Sequence, residues 1–125
     1  MSLRFARSLA LGALVALSGC VTADNYADRF SRTWCQRAEE CAKGEFEAAF
    51  TSQEDCFEET MDQNEVLAVC LTDECEFDKE AARSCLHDLA TGSCDDFVNG
   101  DYGPQCDDVF TDCDSVGFAE CLLDG

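Results

Sequence analysis

The chain has little of what catalysis and nucleic-acid binding usually need. It contains one histidine, one proline and no C-x-x-C pair, and only eight Lys/Arg stand against 27 Asp/Glu. A single imidazole, His87, leaves no scope for a histidine-rich metal site. Without closely spaced cysteine pairs, a structural zinc site has no starting point. So few cations exclude a binder that works through phosphate contacts, which requires a basic face. No glycine-rich phosphate loop, G-x-S-x-G or H-E-x-x-H is present. The longest uncharged apolar stretch near the start, Leu9–Leu17, is too short to span a bilayer.

What is present begins with that stretch. MSLRFARSLALGALVALSGC carries Arg4 and Arg7 ahead of the apolar run, with small residues Ser18 and Gly19 behind it. This is the order of parts in a secretory signal. The four residues Leu17-Ser18-Gly19-Cys20 resemble the lipobox of bacterial lipoproteins. That resemblance implies diacylation of the Cys20 thiol and cleavage before it, and often acylation of the new amino group. The alternative is a plain signal peptide with Cys20 as a disulfide partner. Cysteine parity opposes the alternative: of eleven cysteines, setting Cys20 aside leaves ten, an even set suited to an oxidising compartment. The expected organisation is a signal peptide over 1–19, a lipidated tether over 20–24 and one cysteine-rich domain over 25–125. Val21 follows the cysteine where an Asp would, in the best-known sorting rule, retain the protein at the inner membrane, which implies the outer membrane of the cell envelope.

After the signal, six Lys/Arg face 27 acids, a net of −21, and the imbalance lies entirely beyond residue 43. Residues 44–125 hold Lys79 and Arg83 against 23 acids. A soluble, self-repelling surface is the plain meaning of such a charge.

The pattern predicts an all-α, disulfide-stapled domain. Tyr26, Phe30, Trp34, Ala38 and Cys41 recur at helical spacing, with Asp24 as a cap, a start near Asn25 and Gly44 as a stop. Thr51-Ser52-Gln53-Glu54 reads as a capping box with Thr51 at the N-cap, opening a second helix over about 52–63 that resumes towards Cys70. Asp78 caps a third, DKEAARSCLHDLA, which Gly92 ends. Pro104 begins a short helix, and SVGFAECLL forms a final turn or two. No segment alternates like a sustained strand.

Geometry narrows the pairing. Cys35 and Cys41 share one helix with roughly 9 Å of rise between them and cannot bond to each other. A helical hairpin then predicts Cys41–Cys56, and Cys35 reaching the third helix predicts Cys35–Cys85. Cys94–Cys106 would close the turn cluster, leaving Cys70–Cys75 and Cys113–Cys121 by elimination.

Candidate sites fail on inspection. Asp112, Asp114, Gly117 and Glu120 fall at positions 1, 3, 6 and 9 of a calcium loop, but Val116 and Leu123 occupy positions that need oxygen ligands. The adjacent pairs Asp95-Asp96 and Asp107-Asp108 suit helix starts better than acid/base work. No catalytic, metal or cofactor residue is expected.

The lipobox followed by "WCQRAEEC", "SQEDC", "FDKEAARSCLHDL..GSC" and "PQCDDVF" resembles the small cysteine-rich lipoproteins encoded in many copies by myxobacteria and similar Gram-negative bacteria. The resemblance implies this fold and a membrane location, and carries no assigned reaction. The expectation is a monomeric, non-catalytic envelope module that binds a protein or glycan. The second expectation is electrostatic sequestration of cations or of a cationic partner.

Overall fold

The computed structural model describes residues 20–125. The signal peptide expected over 1–19 lies outside the described residues. Six α-helices carry the domain: α1 (Ala23–Cys41), α2 (Lys43–Ala49), α3 (Gln53–Glu74), α4 (Lys79–Thr91), α5 (Cys94–Val98) and α6 (Ser115–Asp124). A 3-10 helix, Pro104–Asp108, opens with proline where a missing N–H costs nothing. Strands β1 (Glu76–Phe77) and β2 (Phe110–Thr111) form one short antiparallel pair, Glu76 opposite Thr111 and Phe77 opposite Phe110.

Capping chemistry sets the helix ends, in places one or two residues from where the sequence suggests. The cap of α1 is Thr22 rather than Asp24: its hydroxyl accepts from the Asn25 N–H, and the Asn25 side chain accepts from the Thr22 N–H. The helix therefore begins at Ala23, and the residue before the cap, Val21, is 3 % exposed. Gly44 is no stop but lies inside α2, whose Phe46 is buried. Ser52, not Thr51, caps α3 by accepting from the Asp55 N–H, while the Thr51 N–H donates to the Asp55 carboxylate. That helix continues unbroken to Glu74, beyond the expected end. Asp78 and Gly92 bound α4 as the sequence indicates, with Asp78 accepting from the Glu80 and Ala81 N–H groups. Gly103, at φ 121°, is in a conformation that favours glycine, with the Asp88 side chain close beside it.

α1 is the axis of the core. One side meets Phe46, Cys56, Leu89 and Phe97 through Cys35 and Ala38. Its first turn meets Ala81, Ala82, Cys85 and Val109, with Val21 inserted among them. Phe30 packs against both clusters. The core is small, and disulfides supply much of the remaining restraint.

The five disulfides are Cys35–Cys56, Cys41–Cys94, Cys70–Cys121, Cys75–Cys113 and Cys85–Cys106. None matches the expected pairing, and each correction has a geometric cause. Cys41–Cys56 fails because α2 fills the connection, so α3 meets α1 deeper, at Cys35. Cys35–Cys85 fails because Cys85 Sγ lies 3.1 Å from the Tyr26 hydroxyl. Tyr26 is nine residues from Cys35 on α1, about 13 Å along the axis. Cys94–Cys106 fails because α5 lies along α1: the Trp34 and Phe97 rings are 5.8 Å apart, and seven residues further along α1 and three back along α5 Cys41 meets Cys94. Cys70–Cys75 fails because α3 extends to Glu74, holding the two about 7.5 Å apart in rise. Cys113–Cys121 fails for the same reason, since α6 carries Cys121 alongside α3. The bonds Cys70–Cys121 and Cys75–Cys113 instead staple the two like rungs.

Candidate functional site

Towards the α1 N-terminus and the α3 C-terminus, beyond the Cys35–Cys56 staple, the two helices flank an open groove of about 490 Å³. The α1 wall alternates small and aromatic residues at helical spacing: Ala23, Ala27 and Ser31 with Tyr26, Phe30 and Trp34. Alanine and serine leave space there that larger side chains would fill. The α3 wall is Thr60, Gln63, Asn64, Leu67, Ala68 and Leu71, again one helical face. Cys106, Val109 and Phe110 line the groove as well, and Phe50 contributes from the chain between α2 and α3.

The polar groups of the α3 wall are largely turned back on their own helix. Asn64 Nδ2 donates to the Thr60 carbonyl at 2.8 Å, and the Thr72 hydroxyl donates to the Ala68 carbonyl at 2.9 Å. Gln63 Nε2 donates to the Glu59 carboxylate. What faces the groove is therefore mainly hydrocarbon. Among the described residues, Glu59 is the only charged one in the lining.

An aromatic network braces the α1 wall. Tyr26 stands edge-on to Phe110 with centroids 5.8 Å apart, and Phe30 stands edge-on to Tyr102. The Trp34 indole N–H donates to the Tyr102 hydroxyl at 3.1 Å. Burial pushes the Tyr26 phenol up to about 12, because its anion would lose hydration. These contacts keep the α1 side chains in place while the groove stands open.

The residues singled out in the sequence occupy other places. Cys20 is exposed and belongs to none of the five disulfides. Its carbonyl accepts from Asn25 Nδ2 at 3.1 Å, which fastens it to the first turn of α1. His87 is exposed on α4. Asp114 caps α6 by accepting from the Val116 and Gly117 N–H groups, and Asp95 and Asp96 lie in the first turn of α5. Asp107 and Asp108 are exposed in the 3-10 helix. Arg32 pairs with Asp28 and Glu54, and its guanidinium lies 3.8 Å over the Phe57 ring. Among the described residues, no three His, Cys, Asp or Glu side chains converge in a metal-holding group.

The groove was not apparent in the sequence. Its signal was the stripe of Ala23, Ala27 and Ser31 on one side of α1, together with a long α3 that buries only Cys56 and Cys70. Compared with protein-family models, curated proteins and solved structures, the chain finds no match in any of the three.

Proposed function

We propose that this chain is a lipid-anchored, acidic binding module of a bacterial cell envelope, non-catalytic and monomeric, held at the outer membrane through Cys20. The observation that carries the reading is the cysteine partition. Ten cysteines close on one another within the domain, and the eleventh, Cys20, stays outside the set at the end of a signal-like apolar run. A cysteine closing a lipobox-like run and ten oxidised partners fit one exported protein. The resemblance to small cysteine-rich lipoproteins supports the same location.

The position of Val21 sharpens the picture. With Val21 buried and α1 starting at Ala23, a lipid on Cys20 leaves almost no tether. The first turn of α1 then rests at the headgroups. The partner is a protein or glycan.

A second reading, electrostatic sequestration of cations or a cationic partner, is favoured by one observation: 23 acids against two basic residues over 44–125. Partner retention on the immobilised protein separates the two. Binding through a shaped surface survives at high ionic strength, whereas purely electrostatic capture fades. Loss of all retention at high salt overturns the first reading in favour of the second.

A further inference from the structure

We infer that the groove between α1 and α3 is the docking site for a basic amphipathic helix of a partner protein. This rests on the binding-module reading and names the class of partner. The α1 wall runs from Ala23 to Trp34, about 16 Å of helix, the length of roughly three turns of a partner helix. Its lining is hydrocarbon and aromatic, the surface that accepts an apolar helical face. The side chains are already braced, as the Trp34–Tyr102 hydrogen bond shows, so docking demands little reordering.

Charge selects the occupant. α3 carries eight acids and no Lys or Arg over Gln53–Glu74. Among them Glu59 lines the groove, and Asp62 and Glu65 are exposed on the same stretch. Asp107 and Asp108 are exposed just before the Val109 wall. Among the described residues, no basic side chain lines the groove. A helix with an apolar face and a Lys/Arg face matches both features, while an acidic helix or a fatty-acid carboxylate meets repulsion. A second copy of this chain brings the same negative charge and is disfavoured too.

The test uses the exported full-length protein in phosphatidylcholine vesicles, with a synthetic three-turn Leu/Lys amphipathic peptide that has no aromatic residues. If the protein proves unacylated it stays in solution and the titration is run there, so failure of the anchor and failure of the groove are read separately. Trp34 is the only tryptophan and lines the groove, so its emission reports occupancy directly. The expected result is a saturable blue shift. It is absent with a scrambled peptide of equal charge, and Leu67→Lys weakens the affinity at least about tenfold. Leu67 is 42 % exposed, which makes that variant tolerable to the fold. Gln63→Lys, at an exposed position in the same wall, is the second variant should the first not fold. Equal binding of the scrambled peptide, or unchanged affinity in both variants, overturns the inference. So does a Trp34 shift produced by oleate and not by the peptide, which assigns the groove to an acyl chain. A shift that depends on protein concentration alone assigns it to a second copy, with the same consequence.

Discussion

Replacing Cys41 and Cys94 together by serine tests the disulfide framework where its contribution is largest. The bond spans a separation of 53 residues. Detours through the other four bonds shorten that loop only slightly. The chain-entropy estimate for a loop of this size is about 4 kcal/mol. By contrast, Cys70 and Cys121 are already held near each other by Cys75–Cys113. The loop closed by their bond is only the short stretch between the two rungs, and its removal costs about 3 kcal/mol. Cys94 is exposed and Cys41 half-buried, so the double substitution leaves no deep cavity to confuse the comparison. A domain of this size has a total stability of about 5–15 kcal/mol, which makes the loss plain in a urea titration. The assay is the shift in unfolding free energy for both double variants, in oxidised protein. A loss below about 1 kcal/mol for Cys41/Cys94, or a larger loss for Cys70/Cys121 than for Cys41/Cys94, refutes the reasoning.

Three further outcomes follow from particular contacts. Val21→Ala removes buried methyl groups from the cluster of Ala81, Ala82, Cys85 and Val109, and lowers stability by about 1.5 kcal/mol or more; its urea midpoint checks this. Asp78→Ala removes the acceptor for the Glu80 and Ala81 N–H groups and costs about 1 kcal/mol, read as a drop in Tm. The Tyr26 phenol is raised by burial from 10 to about 12, so the folded state holds that proton more tightly than the unfolded chain. Stability is therefore unaffected by Tyr26 below pH 10 and falls as pH rises from 10 through 12. Urea midpoints of the wild type and Tyr26→Phe, compared as pH rises from 10 through 12, check it, and an identical alkaline decline in both proteins contradicts it.

Much of the helical architecture was legible because its signals are local. Asp78 and Gly92 are a cap and a stop within one segment, and both hold in the structure. Thr22 and Ser52 were missed by small offsets, since several residues nearby could serve as caps and only the backbone chooses between them. The pairing was illegible for a different reason. It depends on how long each helix runs and what fills the connections, and neither is written in cysteine spacing. The rise argument that separates Cys35 from Cys41 also forbids Cys70–Cys75, but only once α3 is known to continue to Glu74. Likewise α2 turned a simple hairpin into an offset packing, which moved the partner of Cys56 from Cys41 to Cys35. The groove is a property of two helices at once: Ala23, Ala27 and Ser31 acquire meaning only when Leu67 and Leu71 stand opposite.

The central claim is that one cysteine carries lipid while ten are paired. The most direct measurement is the mass of the non-reduced protein extracted from membranes in detergent. The account predicts a chain beginning at Cys20, heavier than its sequence by the acyl groups and lighter by the ten hydrogens lost to five disulfides. A chain that begins elsewhere without acyl mass, or one that reacts with a thiol reagent at any cysteine, contradicts it.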